Sequence, residues 1–457
     1  MTELMIVVIY FMAVIAIGIV SRQRRWGLDD FFVSGRRCSA LFVTGSLLAT
    51  MIGGSATIGM AGLGFTQGLT GAWWLLVGTI GLLFLGFFFA RKVREYGLYT
   101  LPALLGKQYD RRISLASSIL IVIAWLGVIA GQIIAAGKIL SALGIGSATL
   151  WMVLFSATFI GYVIIGGQDA VIRTDLLQII IIGLGIFAGA GLLLWHTGGL
   201  TALQASLPAD RFAFPFSSKF GPMEFATYLF LVGSTYAVGP DMYSRLFCAR
   251  DARTAKVSVF WAAVVLIPFA FAITIIGVGA SSLFPTIQAE QAFPTVARQV
   301  FPPLVGGLVI AALVSAVMSS ADTTLMSAST ILTTDIVKHF KPDLSDKRTI
   351  TISRWSILVL GIFSLLLALV LKGVISALMF ASTIYTCGVI LPVIVGFYRK
   401  RLKVTATAAL AAVIGGGAAG LASKLLGIKY LDLGGLAVAA ILLVVVSIIE
   451  NRRRKLQ

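Results

Sequence analysis

Long apolar runs separated by short polar connectors make up almost the whole chain. Runs of membrane length fall at about 4–21, 41–66, 70–90, 113–143, 147–166, 172–195, 223–247, 257–281, 300–336, 352–371, 374–397, 404–424 and 432–449. A helix that crosses a bilayer needs roughly 20 mostly apolar residues. The pattern therefore predicts an all-α polytopic membrane protein with about 13 transmembrane helices. Several runs exceed that length, which implies tilt, a break or an extension into the interface. The first run has Glu3 as its only early charge and ends in Arg22, Arg24 and Arg25. Without a basic leading region or a small-residue cleavage site, it reads as an uncleaved first span with its N-terminus outside.

Composition narrows the function classes. Of 457 residues, 58% are apolar and 12% charged, and the mean hydropathy is +0.99. An ordinary soluble domain carries roughly 25% charged residues, so a soluble globular protein, a disordered chain and a disulfide scaffold are all excluded. The longest connectors, about 196–222 and 282–299, are too short for a further domain, so 1–457 reads as one. The net charge of +18 would suggest nucleic acid in a soluble protein. Here, with the N-terminus outside, 29 of the 36 Lys and Arg fall in inner loops, Arg173 and Arg245 among them, and 7 outside. That alternation is the signature of cytoplasmic loops facing anionic headgroups. It puts the C-terminus in the cytoplasm, and the expected location is the plasma (inner) membrane of a prokaryote. Cys38, Cys248 and Cys387 form no CxxC pair, so no disulfide is expected. His196 and His339, the two histidines, lie near helix ends and argue against a His/Cys metal site.

Function should reside where a span is interrupted or charged, because lipid leaves no partner for a freed backbone group. In the second span, Gly53 and Gly54 sit together at mid-membrane, followed by Ser55. A glycine pair is a cheap place to unwind a helix, which frees carbonyls before the break for a cation and amides after it for an anion. Close packing of small residues is the structural alternative. In the seventh span, Gly239-Pro240 interrupts a segment carrying Ser234, Thr235 and Tyr236. Two interrupted helices five spans apart point to an inverted-repeat transporter. In the ninth span, Ala316, Ser319 and Ser320 share one helix face and offer oxygens suited to a hard cation; back-bonding within the helix is the alternative. Asp175 sits about one turn inside the sixth span, either a functional intramembrane carboxylate or a shallow, hydrated one. Arg173, two residues away, does not face it.

These segments resemble the solute:sodium symporter family. The resemblance rests on Ala49–Gly59, on Gly166–Gln178 with its Gly-Gly-Gln-Asp start, on Asp241-Met-Tyr-Ser-Arg245 with Ala249–Arg253, and on Ser315–Asp322 with Thr333–Ile336. It implies the LeuT-like architecture: a 5+5 inverted repeat over 41–195 and 223–397, preceded by an extra helix in 1–40 and followed by two helices in 398–457. It further implies a sodium site formed by the carbonyls of Ala49, Ile52 and Ala316 and the hydroxyls of Ser319 and Ser320. Asp175 becomes a candidate for a second ion or for coupling. The implied solute pocket draws on Gly53, Gly54, Ser55 and Ala56 in the second span and on Ser234 and Tyr236 in the seventh. Gln132, Thr383 and Tyr385 are further candidates.

The expected function is a secondary active transporter that couples inward sodium movement to uptake of a small solute by alternating access. Ala56 departs from the sugar-transporting pattern of the family, and few pocket candidates are charged, which favours an amino acid or a small carboxylate. The expected partners are sodium as coupling ion, the solute and the lipid bilayer. No other cofactor, no nucleic acid and no obligate protein partner is expected. A proton-coupled symporter using Asp175 is the principal alternative, followed by a non-transporting channel or sensor derivative. An enzyme is disfavoured, because no acid/base pair, metal cluster or activated nucleophile is in evidence: Asp322 and Asp335 lie too far apart on one span to meet.

Overall fold

Local signals start many of the long helices. The Asp110 carboxylate caps Arg111–Ser141 by accepting the amides of Arg112 and Ile113 at 2.9 and 3.1 Å. Asp251 caps Ala252–Leu283 through the Thr254 amide, and Ser147 caps Ala148–His196 through that of Leu150. Such caps satisfy amides that have no partner inside the helix. The protein is known here from a computed structural model that describes residues 2–21, 27–371, 373–426 and 431–456. The basic residues Arg22, Arg24, Arg25, Lys372 and Lys429 of the charge count lie outside the described residues.

The principal helices are α1 (Thr2–Val20), α2 (Ala40–Met51), α3 (Met60–Gln67), α4 (Trp73–Phe88), α5 (Arg111–Ser141), α6 (Ala148–His196), α7 (Ser234–Val238) and α8 (Pro240–Cys248). They continue with α9 (Ala252–Leu283), α10 (Pro303–Ile331), α11 (Asp346–Val370), α12 (Val374–Tyr385), α13 (Leu391–Gly396), α14 (Ala406–Leu426) and α15 (Leu431–Leu456). Among the described residues there are no strands, only two isolated bridges.

Among the described residues, ten helices are long and apolar enough to cross a membrane. Three of the 13 segments expected from the sequence are not separate candidates, each for a visible reason. The second is broken after Met51, and its remainder runs on into α4 as a single 34-residue stretch. The fifth and sixth are two helices that meet at Gly167, which leaves helical geometry, and they run on as a single 49-residue stretch, α6. The seventh is divided at Gly239 into pieces too short to qualify. Gly167 has φ 54°, and a Cβ there would lie 2.8 Å from the Phe31 ring, so glycine is the residue that permits the bend.

The core sits around α10. Every residue from Val309 to Ile331 is buried, on all sides of the helix. A helix buried all round is ordinarily apolar, yet this one carries a run of hydroxyls and Asp322. It packs most extensively against α6 and α5, and also against α1 and α2. Loop contacts sort the connectors into two sets. Arg36 bonds the carbonyls of Gly97 and Leu98, Arg94 that of Ala249, Arg111 that of His339, and Arg399 that of Gln108. These are all connectors that the charge count placed inside. On the other side Trp73 bonds Pro215, Lys219 bonds Thr66, Lys138 pairs with Glu290 and Arg298 bonds Ala142. The structure thus groups the two sets as the alternation requires.

Candidate ion and solute site

The α2 helix ends at Met51. Ile52 leaves helical geometry (φ −89°, ψ 63°), and a π-helical turn over Ser55–Gly59 restarts the segment. The break is therefore centred on Ile52 and Gly53. The Gly54 amide, near the start of the second half, donates to Gln132 Oε1 at 2.7 Å. Gln132, expected as a solute contact, in this structure caps the restarted helix. A Cβ at Gly53 would lie 2.3 Å from Ser320 Oγ, and one at Gly54 2.7 Å from the Ala135 Cβ. Both glycines are needed for the close approach of α10 and α5, while the departure from helical geometry falls at Ile52, since Gly54 is itself helical (φ −58°, ψ −36°).

Across the break lies the hydroxyl face of α10. Ser319 Oγ lies 2.8 Å from the Ala49 carbonyl oxygen and 3.0 Å from that of Ala316. Three of the five oxygens expected around sodium thus converge, from two helices, in a buried spot. Ser320 Oγ donates to the Thr50 carbonyl at 2.6 Å. Ile52 is buried at the break itself. These are neutral oxygens, the donor set a hard cation prefers.

The sequence reading missed what lies behind this group. Arg245, assigned there to an inner loop, is fully buried, with 0% exposure, as is Asp175. Arg245 Nη2 lies 3.2 Å from Asp175 Oδ2 and also bonds Thr323 Oγ1, while its Nε donates to Ser46 Oγ at 2.9 Å. Ser46 in turn donates to Asp175. Thr323 and Thr50 share a hydrogen bond of 3.1 Å, which joins this ion pair to the broken helix. Asp175 is therefore not shallow or hydrated: burial demanded a cation, and α8 supplies it. The signal was present, since an intramembrane carboxylate should be read with a named basic partner, and Arg245 stands four residues after Asp241. Asp322, also fully buried, accepts from Tyr162, and among the described residues one oxygen of each carboxylate, Asp175 Oδ1 and Asp322 Oδ1, is buried with no hydrogen-bond partner.

A cavity of about 110 Å³ lies beside the break. Thr50, Gly53 and Ser320 line it together with Ser55, Gln132 and Tyr236, so it touches the ion group directly. Trp74, Trp125, Thr324, Ser382 and Asp241 complete much of the wall. The Asp241 carboxylate accepts from Trp125 Nε1 at 2.8 Å, and among the described residues no basic side chain lines the cavity. Of the other expected contacts, Gly54 and Ala56 are buried beside the break but do not line it, and Ser234 Oγ bonds back to Phe230 O at 2.5 Å within its own helix. Thr383 is buried away from the cavity. Tyr385 bonds the Val238 carbonyl and stands edge-on to Trp125 at 4.9 Å, which makes it a support for the wall. Asp241, Trp74, Trp125, Thr324 and Ser382 are among the unforeseen lining residues.

Comparison with known proteins fixes the family. The model of the "sodium:solute symporter family" matches residues 31–416. The chain belongs to that family. A sodium/glucose cotransporter from Vibrio parahaemolyticus is 26% identical over 450 residues, covering 90% of this chain and 82% of the relative. Sodium/glucose cotransporter 1 of Ovis aries is 30% identical over 205 residues, covering 44% of this chain and 31% of the relative. Among solved structures, a Na⁺-coupled sialic acid symporter in a substrate-bound outward-open state superposes with a TM-score of 0.84 at 21% identity, over 98% of each chain. The fold of this symporter is therefore the LeuT-like one, and its relatives are transporters rather than enzymes.

Proposed function

We propose that this symporter couples sodium movement down its gradient to uptake of a small zwitterionic amino acid. Sodium is the first substrate, held by the carbonyls of Ala49, Ile52 and Ala316 and the hydroxyls of Ser319 and Ser320. The observation that carries this reading is the Ser319 hydroxyl, bonded at once to carbonyls of both helices. An ion taking up those oxygens clamps α2 to α10. The solute cavity shares Thr50, Gly53 and Ser320 with that clamp, so the clamped state is also the one that shapes the cavity. By linkage each ligand then strengthens the other. The unpartnered oxygens of Asp175 and Asp322, beside Thr323, are where a second cation would be held.

Asp241 sharpens the solute. A carboxylate on the wall, with no basic residue opposite, disfavours a free carboxylate anion and favours a solute that brings an ammonium group. That supports an amino acid over a small carboxylate. The hydroxyl and indole groups on the wall also suit a polyhydroxylated solute, and the similarity to sodium/glucose cotransporters favours this second reading. We assign the two repeats to 41–195 and 223–397, each opening on an interrupted segment, with alternating access as rocking about them. The charge alternation supports an N-terminus outside and a plasma-membrane location.

The test is thermal stability of the purified protein in sodium and in potassium, with alanine, glucose and lactate as probes. A ligand of the folded state raises Tm. Sodium should stabilise the wild type and not the Ser319→Ala/Ser320→Ala double variant. Alanine should add to the shift only in sodium, and Asp241→Asn should keep the sodium shift while losing that of alanine. Equal effects of sodium and potassium overturn the ion site. A shift from glucose that survives Asp241→Asn overturns the amino-acid reading.

A further inference from the structure

Two cavities meet at the end of the last helices, remote from the ion group. The first, of about 510 Å³, is an apolar groove between α13 and α15, floored by Leu391, Val395, Leu443 and Val444. Leu402, Val444 and Ile448 are 54%, 58% and 48% exposed, so the groove opens toward the surroundings of the helices, which in a membrane are acyl chains. The second, of about 810 Å³, is lined by Lys107, Arg399, Lys400, Arg401, Lys403 and Arg454. The two share Lys403, Val404 and Asn451. Among the described residues no acidic side chain lines either.

Some of this charge is structural. Arg399 bonds the carbonyls of Val404 and Gln108, and Arg454 pairs with Glu450. Lys107, Lys400, Arg401 and Lys403 are exposed and form no ion pair among the described residues. Asn451 donates to the Lys403 carbonyl at 2.7 Å and pins this turn to α15. Lys403 holds φ 52°, a conformation that glycine adopts more readily; its side chain stands there against that preference. An independent observation comes from Gln108. It is 6% exposed, it lines the basic cavity, and neither its amide nitrogen nor its oxygen has a hydrogen-bond partner. Buried amides are ordinarily satisfied, and this one faces a cavity lined by six cationic side chains.

We propose that this composite site binds one anionic phospholipid, its phosphate held among Lys400, Arg401, Lys403 and the Gln108 amide and one acyl chain laid in the groove between α13 and α15. The continuity of basic cavity and apolar groove is what selects an amphiphile over a free phosphate. The bound lipid ties α13, which a π-helical turn over Thr386–Ile390 joins to α12, to the peripheral helix α15.

The experiment titrates the detergent-purified full chain with phosphatidylglycerol, phosphatidylcholine and glycerol 1-phosphate, reading bound lipid by native mass spectrometry and Tm in parallel. Phosphatidylglycerol should bind at one per chain and raise Tm, phosphatidylcholine and glycerol 1-phosphate should not. Lys400→Gln/Arg401→Gln/Lys403→Gln should weaken that binding about a hundredfold, from the loss of three surface charges. Val444→Trp, which fills the groove, should abolish the Tm rise. A sodium-dependent Tm shift retained in each variant shows that it is folded. Equal binding of phosphatidylcholine, an equal shift with glycerol 1-phosphate, or unchanged binding in the triple variant overturns the site.

Discussion

The two interrupted segments solve the same problem in opposite ways. At Ile52–Gly53 the chain opens with small residues, and what it presents to the interior is backbone: the Ala49 carbonyl to Ser319, the Thr50 carbonyl to Ser320, the Gly54 amide to Gln132. At Gly239-Pro240 the break itself is stark, with Pro240 opening α8 and a Cβ at Gly239 meeting the Thr235 carbonyl at 2.3 Å. Yet what that segment delivers is side-chain charge: Asp241 to the cavity and, one turn on, Arg245 to Asp175. A neutral cage and a charged latch therefore face each other. The neutral oxygens can hold an ion reversibly, while the buried pair fixes the helices that carry them. On the proposed reading, the oxygens of the cage owe their placement to a buried ion pair that stands behind them.

That comparison can be broken where it is strongest. Arg245→Leu leaves Asp175 buried without its cation and should cost about 3–5 kcal/mol, read as a large loss of Tm in detergent. The Asp175→Asn/Arg245→Gln double variant, with no buried charge left at the pair, should recover much of that loss. If Arg245→Leu is as stable as wild type, the latch is ornamental. The next effect is on the cage. Gly54→Ala puts a Cβ 2.7 Å from that of Ala135, an overpacking worth about 2–3 kcal/mol, and should weaken the sodium-dependent shift together with stability. Gln132→Leu leaves the Gly54 amide buried and unpaired, at about 1–2 kcal/mol. Because Gln132 also lines the cavity, its solute shift should fall further than its sodium shift. The smallest effect is expected at Ser234, which bonds its own helix: Ser234→Ala should change Tm and both ligand shifts little. A lost solute shift there would return Ser234 to the site and redraw the cavity.

The hydroxyl face of α10 was legible because helical spacing alone puts Ala316, Ser319 and Ser320 on one side. The first break was legible because a glycine pair at mid-span marks either an unwound helix or a close approach, and here the pair stands at the break and packs closely as well. Asp175 was legible as a cost, but its repayment was not. Arg245 follows a proline and precedes a basic loop, and in sequence it looks like one more inward-facing positive charge. Only the packing of α8 against α2 and α10 brings its guanidinium to Ser46, Thr323 and Asp175. Ser234 erred the other way: a hydroxyl near a break looks available, yet it bonds the carbonyl four residues back. Gln132 was expected as a solute contact, and spacing could not say that its side chain would meet the restarted helix as well as the cavity.

By itself the sequence determined that this chain is helical, membrane-embedded and built around two interrupted segments, because those properties follow from period, apolar length and the local chemistry of glycine and proline. The tertiary structure alone decided which charges are paired, which amide caps which helix, and which side chains wall the cavity. Those depend on residues tens to hundreds of positions apart meeting at distances of 2.6–3.2 Å, and no periodicity along a chain encodes which distant helix face will arrive opposite.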